Sequence, residues 1–308
     1  MGYYLFRRLW GALITLLVVS FLAYVALTFA PGDAAEALLG ENASAEQIAA
    51  LRSQMRLDAP LWERYGEYMA GALHGNLGQS LASDRRVADL LRERFPSTLL
   101  LALVAMGLAT VAGFSLGLLA ASRPGSRLDL LTISGTVLGL ALPPYWVAML
   151  LVMVFSLRLH WLPVFGSGTP AHLILPAITL ALPGAATVAR LVRSSVLEVK
   201  GADFVRTALS KGLTPRQTLL RHILPNSLIP ALTVLGLNLS YLIGGAFVVE
   251  TIFAWPGLGR LTVQAIFDRD LPVVMGAVLV VVPLCLSVNL VVDLLHAALD
   301  PRVRHHAL

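Results

Sequence analysis

The stretch VKGADFVRTALSKGLTPRQTLLRHILPNSLIP, Val199–Pro230, lies between two long apolar segments and holds the densest cluster of positive charge in the chain. Several of its apolar residues recur at helical spacing and predict one stripe of a short helix: Phe204, Val205, Ala208, Leu209 and Leu213. Gly212 suits the position after a helix end, where glycine takes a left-handed backbone at little cost. The sequence therefore predicts a short helix that ends at Gly212.

A second short helix is predicted directly after the first. Thr214 fits its N-cap, Pro215 its first position and Gln217 its third, which together make a capping box. Pro225 is expected to end this helix or to kink it. We call the two helices, Ala202–Ile223, the elbow. A short amphipathic elbow suits the docking of a partner, and a solvated loop that is basic only because of membrane topology explains the same residues equally well.

The stretch resembles the EAA loop of permease subunits of ATP-binding cassette (ABC) importers, whose general form is Glu-Ala-Ala, three residues, Gly, and then Leu-Pro. The matching positions are Ala208, Gly212, Leu224 and Pro225, whereas His222 stands where the general form has Ile. Arg206, Thr207 and Lys211 follow the R-T-A-x-x-K-G version of the dipeptide, oligopeptide and nickel subfamily. In that family the loop forms a coupling helix in a groove of the ATP-hydrolysing subunit. The resemblance implies coupling through Phe204, Arg206, Thr207, Ala208, Leu209, Lys211, Gly212, Leu213 and Arg216.

Composition indicates a membrane protein. The 308 residues are 57% hydrophobic and 13% charged, against about 25% charged in soluble domains. The net charge of +5 requires no nucleic-acid partner, because membrane proteins gather Lys and Arg on their cytoplasmic side. The single cysteine, Cys285, allows neither an internal disulfide nor a cysteine metal site.

Six charge-free apolar runs are long enough to cross a bilayer, which takes about 20 residues. They are Leu9–Ala30, Ser97–Ala121, Leu130–Leu157, Leu173–Ala189, Ser227–Val249 and Val273–Val292. Positive charge collects on one side of these runs, so that side and both termini are predicted to be cytoplasmic. The expected fold class is all-α integral membrane, with six transmembrane helices. The resemblance implies a type I ABC importer transmembrane domain with an external helical insert.

The external insert, residues 31–96, is predicted to be ordered. Ser44 and Gln47 make a second capping box, Pro60 opens another helix, and a third helix is expected to stop at Pro96. A platform for a delivery protein and a cover packed on the bundle remain equal alternatives. The predicted divisions are an N-terminal arm and first helix 1–30, the insert 31–96, a core 97–298 with the coupling loop 199–226, and a cytoplasmic tail 299–308.

One candidate for the translocation pathway lies in the third run, which Pro143 and Pro144 break near its middle. Irregular backbone at membrane depth is tolerated where it lines a cavity or is buried in protein. A simple kink is the alternative.

A candidate external gate follows the fifth run, in Glu250-Thr-Ile-Phe-Ala-Trp-Pro-Gly-Leu-Gly-Arg260, which resembles a signature of the same subfamily. Pro256 and Gly257 predict a tight turn, and Trp255 suits the bilayer interface. Glu250 either caps or pairs locally with Arg260, which is favoured, or faces the external mouth of the pathway.

Other motifs exclude other functions. The chain has no Walker phosphate loop, so it is not expected to be an enzyme that hydrolyses ATP. The sequence Gly113-Phe-Ser-Leu-Gly117 matches a hydrolase pattern, but within an apolar helix its glycines favour helix packing. Gly135 and Gly139 form a similar pair. No metal-ligand spacing is present, and His305-His306 makes a weak site. The apolar runs contain no acid or base, which argues against an ion-coupled secondary transporter.

The resemblance covers nearly the whole chain, because further subfamily motifs follow in order. These are Pro31-Gly32-Asp33, His74–Ser80, Arg269–Val274 and Asn289–Asp293 through Asp300-Pro-Arg302. It implies a bacterial inner-membrane permease subunit that forms half of a translocation pathway. Its implied partners are a second homologous permease, two ATPase subunits that bind ATP and Mg²⁺, an external solute-binding protein and membrane lipid. Short peptides are the expected cargo, and nickel, free or chelated, is the alternative.

Overall fold

The computed structural model describes residues 2–29, 44–54 and 58–299, which are predominantly helical. The helices are α1 Gly2–Thr28, α2 Ala45–Gln54, α3 Leu61–Leu73, α4 Val87–Ser122, α5 Arg127–Ala141, α6 Pro144–Leu151, α7 Ala171–Lys200, α8 Asp203–Ser210, α9 Pro215–Thr218, α10 Leu224–Ile252, α11 Leu258–Phe267 and α12 Leu271–Leu299. Two π-helical segments, Val152–Arg158 and Leu219–Ile223, directly follow α6 and α9. Over these ranges no β-strand forms. The motif Pro31-Gly32-Asp33 and the tail from Asp300, with His305-His306, lie outside the described residues.

The chain divides into two compact units, each with a hydrophobic core. The first unit comprises Met1–Thr98 and Pro256–Ser287, and the second comprises Leu99–Trp255 and Val288–Leu308. A buried cluster in the first unit contains Val87, Leu90, Leu91, Leu258, Ala265, Val273, Val274 and Ala277. One in the second unit contains Ala121, Val188, Val192, Val196, Val205 and Ile223.

Every predicted apolar run lies on helices within the described residues. The helices that are long and apolar enough to cross a bilayer are Phe6–Thr28, Val87–Ser122, Ala171–Lys200 and Leu271–Leu294. The third run is the pair α5 and α6, and the fifth is the 29-residue α10. The all-helical fold class is confirmed, and the crossing number of six stays a prediction.

Pro143 and Pro144 break the third run, as predicted. Leu142 and Pro143 are extended, with ψ of 127° and 137°, since a residue before proline avoids the helical region. Pro144 then takes the first turn of α6, where its missing N–H leaves no bond unmade. The two helices on either side of the break are bent by 108°, so the segment is a sharp corner rather than a mild kink.

The prediction that a helix stops at Pro96 is wrong, whereas at Pro225 a π-helix changes to an α-helix and the alternative of a kink stays a prediction. Helix α4 continues through Pro96, because core residues before it and a long apolar run after it outweigh a cost of about 3 kcal/mol. The chain also stays helical through Pro225, an N-terminal residue of α10. Before it, the Leu224 N–H bonds to the Leu219 carbonyl in a wider π turn. That turn moves the carbonyl with which the proline ring would otherwise clash.

The described part of the external insert is ordered and packs on its own unit. The Ser44 N–H donates to Gln47 Oε1 at 2.9 Å and the Gln47 N–H to Ser44 Oγ at 3.2 Å, which confirms the capping box. Helix α3 begins after Pro60, as predicted. The hydroxyl of its Tyr65 lies 2.8 Å from that of Ser20 on α1. These contacts fix α3 against the first helix.

Two separate subfamily motifs meet at Asp270, which is buried at the start of α12. The Ser80 hydroxyl donates to Asp270 Oδ2 at 2.5 Å, and the Ala82 N–H donates to the same oxygen at 3.3 Å. Asp270 Oδ1 accepts the Val273 N–H at 3.3 Å and so caps the helix. One carboxylate therefore holds the loop after α3 to the beginning of α12.

The glycines of the hydrolase-like motif are packing positions. A Cβ on Gly113 would lie 2.7 Å from Cβ of Val188, and one on Gly117 would lie 2.6 Å from the Ala189 carbonyl oxygen. Ser115 lies on the same unbroken helix, not on the strand–turn–helix that a nucleophilic serine needs. The predicted close approach of helices is confirmed here.

The second glycine pair is only half used in packing. A Cβ on Gly139 would come within 3.2 Å of the Ala186 side chain on α7. Gly135, four residues earlier, faces open space, because a Cβ at this position would have no atom within 4 Å. Of the two glycines, only Gly139 therefore lies at a close approach of α5 to α7.

Candidate functional site

The first helix of the elbow, α8, ends in a Schellman motif. Gly212 has φ +88°, a backbone conformation that is nearly free of strain only for glycine. The Gly212 N–H donates to the Leu209 carbonyl at 2.9 Å, and the Leu213 N–H donates to the Ala208 carbonyl at 3.3 Å. Both bonds of the motif are present. The predicted helix end at Gly212 is confirmed.

The second helix of the elbow begins with the predicted capping box. Thr214 accepts the Gln217 N–H on its hydroxyl, and the Gln217 side chain accepts the Thr214 N–H at 3.0 Å. Pro215 takes the first turn. The Thr214 hydroxyl also donates to Gln217 Oε1 at 3.0 Å. With both neighbouring helix ends capped, the bend between them is a fixed corner.

The predicted apolar stripe of α8 is divided by the structure. Val205 and Ala208 are 3% and 7% exposed and pack into their own chain. Phe204 and Leu209, each 46% exposed, flank that buried strip on either side at about 100° per residue. Leu213 is half-buried. The outward apolar surface of α8 is thus Phe204 and Leu209, whereas Ala208 anchors the helix internally.

The anchor of α8 reaches the long helices of the second unit. Val205 belongs to a buried cluster with Val192 and Val196 of α7, Ala121 of α4 and Ile223 at the end of the elbow. The elbow also runs into α10 through its π-helical segment without a break. A displacement of α8 would therefore act on α4, α7 and α10 together.

The cationic side chains of the elbow named above face outward, whereas Thr218 is buried. Arg206 is 79% exposed and lies 3.9 Å from Asp203, a surface pair that contributes little to stability. Lys211 and Arg216 are exposed as well. Thr207 donates its hydroxyl to the Asp203 carbonyl at 3.0 Å, so it is engaged within its own helix. Sequence reasoning missed Leu220, 53% exposed, which adds an apolar side chain to this surface.

A buried ion pair that sequence reasoning also missed joins α5 to α7. Arg193 Nε donates to Asp129 Oδ1 at 2.5 Å and Nη2 donates to Oδ2 at 2.8 Å. The Gly125 N–H donates to the same carboxylate at 2.9 Å, and Ser126 caps α5 through the Asp129 N–H. The Asp129 side chain is 3% exposed. This bidentate clamp fixes the start of α5 to the part of α7 that precedes the elbow.

The predicted pathway segment at the proline break presents large side chains outward. Pro143 is exposed and Pro144 half-buried. The following Tyr145 and Trp146 are 50% and 46% exposed. Their role in a pathway stays a prediction.

The residues of the predicted external gate are largely buried. Glu250 is 0% and Trp255 4% exposed, and the Trp255 N–H donates to the Glu250 carbonyl at 2.9 Å. Trp255 is thus buried within the chain, and its place at the bilayer interface stays a prediction. The tight turn is present, with Ala254 at φ +51°, and Pro256 and Gly257 of the other unit line a cavity before α11.

No group of three or more His, Cys, Asp or Glu side chains that could hold a metal ion occurs within the described ranges. The thiol of Cys285 is half-buried.

Comparison with known families assigns both parts of the chain. Residues 113–305 match the family described as binding-protein-dependent transport system inner membrane component. Residues 1–102 match the N-terminal family of the same membrane components.

Curated relatives match over nearly the full length. The glutathione transport system permease protein GsiC of Escherichia coli strain K12 is 39% identical over 302 residues, covering 98% of this chain and 99% of the relative. The protein of the same name from Shigella dysenteriae serotype 1 is also 39% identical over 302 residues, and the match covers the same fractions of both chains.

Solved structures share the fold at low sequence identity. The MetNI methionine ABC transporter in an inward-facing conformation matches with a TM-score of 0.57 at 21% identity, covering 68% of this chain and 96% of the other. An amino acid ABC transporter matches with a TM-score of 0.55 at 17% identity, covering 68% and 94%. The fold is that of a type I ABC importer transmembrane domain. The chain therefore belongs to the family of inner membrane components of binding-protein-dependent transport systems, and it is a permease subunit of an ABC importer.

Proposed function

We propose that the elbow is the coupling site at which an ATPase subunit binds this permease. One observation carries the proposal. The elbow turns half-exposed Phe204 and Leu209 outward beside the cations Arg206, Lys211 and Arg216. Its buried residues meanwhile tie it to the long helices. Such a surface fits an apolar groove with an acidic rim.

The proposed mechanism is mechanical. ATP closes the ATPase subunits, α8 moves with them, and the Val205 anchor passes the movement to α4 and α7. Helix α10 moves as the direct continuation of the elbow. The capped corner at Gly212 supports this role, because a flexible joint would absorb the displacement instead of transmitting it. The pathway, half of which this subunit forms, then opens to the other side.

The coupling role is tested by Leu209→Asp in the assembled transporter. The substitution places a carboxylate where docking would desolvate it, which is strongly unfavourable. It should abolish transport-coupled ATP hydrolysis while the protein still inserts and assembles. Leu159→Asp is a matched control, since Leu159 is 40% exposed and lies on the predicted external side. Normal coupling in Leu209→Asp would remove the basis of the proposal.

We further infer that the cargo is a short peptide or a peptide-like solute. Full-length relatives at 39% identity carry the name glutathione transport permease, and glutathione is itself a tripeptide. The complete complex would include a second permease and an external solute-binding protein in the bacterial inner membrane. The test is to measure which solute raises ATP hydrolysis when the complex and its binding protein are reconstituted together. Stimulation by glutathione or dipeptides supports the inference, and stimulation only by nickel refutes it.

A further inference from the structure

A cavity of about 290 Å³ opens within the first unit, between the beginning of α4 and α11. Its described lining consists of Arg94, Pro256, Gly257, Arg260, Leu261 and Gln264. Two of these side chains are cationic and, among the described lining residues, none is acidic. The cavity therefore has a positive lining with an apolar wall.

Arg94 is the lining residue that has a buried hydrogen-bond donor without an acceptor. Its Nε is buried and donates to no acceptor, and a buried donor left unpaired costs about 1–3 kcal/mol, or more when charged. The adjacent acid does not satisfy it, because the Glu93 carboxylate accepts a hydrogen bond from Arg85 at 2.5 Å. A negative ligand in the cavity would offset the charge of this guanidinium group.

The other lining residues favour an anion of one kind. Arg260 places a second guanidinium group at the cavity, so a negative ligand there would lie near two cations. Gly257 is the N-cap of the ten-residue α11, whose positive end adds to the same potential. Gln264 donates to both carboxylate oxygens of Asp268 at 3.1 Å, so its amide contributes shape rather than charge. Guanidinium groups match the planar fork of a carboxylate.

The size of the cavity limits the ligand. Pockets for whole small molecules hold about 300–1,000 Å³, and this cavity of about 290 Å³ lies at the lower end. It fits one carboxyl-bearing residue better than a whole peptide.

We propose that this cavity binds the carboxylate of a small solute, with Arg94 and Arg260 as its ligands. A short peptide would enter with its terminal carboxylate. The use of the site in transport rests on the proposed cargo, whereas carboxylate binding itself does not.

The test uses the reaction rate of a cysteine placed in the cavity while both arginines remain. In the full-length chain with Cys285→Ala, Gln264→Cys is compared with Ile266→Cys, which is on the same helix and does not line the cavity. Isolated membranes are treated with anionic or cationic methanethiosulfonate reagents, and unreacted thiols are counted by a gel shift with a maleimide polymer. A positive cavity concentrates anions. The ratio of the reaction rate with the anionic reagent to that with the cationic reagent should therefore be about tenfold higher at position 264 than at position 266.

Protection by small probes identifies the ligand. Glycylglycine should slow the anionic reagent at position 264 in a concentration-dependent way, and glycylglycinamide, which has no carboxylate, should not. Arg94→Gln should remove this protection, and Arg92→Gln, at an exposed position two residues earlier, should keep it.

Several outcomes would overturn the proposal. They are equal protection by the amide, protection that survives Arg94→Gln, or stronger protection by inorganic phosphate than by glycylglycine. ATP hydrolysis plays no part in these measurements, so their failure is distinguishable from failure of the coupling role.

Discussion

The affinity of the ATPase subunit for the elbow should depend on Phe204 and Leu209 by an amount that follows from their exposure. Burying such a side chain completely is worth about 1.5–3 kcal/mol. Each is 46% exposed, so docking can gain about 0.7–1.4 kcal/mol from each. Phe204→Ala or Leu209→Ala should therefore raise the dissociation constant about three- to tenfold, and the double variant about ten- to a hundredfold if the two effects add.

The assay is titration of the detergent-solubilised permease with purified ATPase subunit, followed by fluorescence. Leu159→Ala is the matched control, because Leu159 is 40% exposed and lies on the predicted external side. All variants should elute as the wild type does in size-exclusion chromatography, since none of these side chains is fully buried. A double variant that binds as tightly as the wild type, or a control that weakens binding equally, would refute the reasoning.

Three further predictions concern the scaffold of the elbow. Gly212→Ala should destabilise the corner by about 1–2 kcal/mol, because alanine is strained at a left-handed φ. The variant should insert into the membrane normally and show lower coupled ATP hydrolysis. Coupled hydrolysis at the wild-type rate would contradict this. Arg193→Gln should lower the melting temperature by leaving the carboxylate of Asp129 without its charge partner, and Asp129→Asn combined with it should recover part of the loss in a thermal melt. Gly117→Ala should lower the melting temperature, because its Cβ would meet a carbonyl oxygen at 2.6 Å. Gly107→Ala should leave the melting temperature unchanged, because a Cβ on Gly107 would have no atom within 4 Å.

The parts of the elbow that could be predicted from sequence are those set by local chemistry. Gly212 at a helix end, and Thr214, Pro215 and Gln217 as a cap, act over three or four residues, so the sequence pattern contains the whole interaction. The same holds for the capping box at Ser44 and for the break at Pro143. These predictions were confirmed with their atomic contacts.

The prediction of a helix stop at Pro96 was wrong because it treated proline as a local signal. Helix α4 continues through Pro96 because apolar residues on both sides of it pack into buried clusters. A π turn accommodates Pro225, and nothing in the local composition indicates such a turn. Tertiary packing decided the case of Pro96.

The remaining contacts join residues that are distant in the chain. The Asp129–Arg193 pair links positions 64 residues apart, and the Ser80–Asp270 bond links positions 190 apart. Arg193 follows the apolar part of α7 closely, which was the available signal for the first. The burial of Trp255 is likewise not specified by its own aromatic character. For the same reason the sequence predicted the apolar stripe of α8 but not its division into anchor and outward surface.

Nucleotide-dependent cross-linking of the elbow tests the coupling claim most directly. In the chain with Cys285→Ala, single cysteines at Phe204 and Arg216 are cross-linked in the assembled transporter, with Leu159→Cys as the control on the predicted external side. Both elbow cysteines should form adducts with the ATPase subunit, in yields that change when ATP is bound, and the control should form none. Elbow cysteines that never reach that subunit, with or without ATP, would contradict the account.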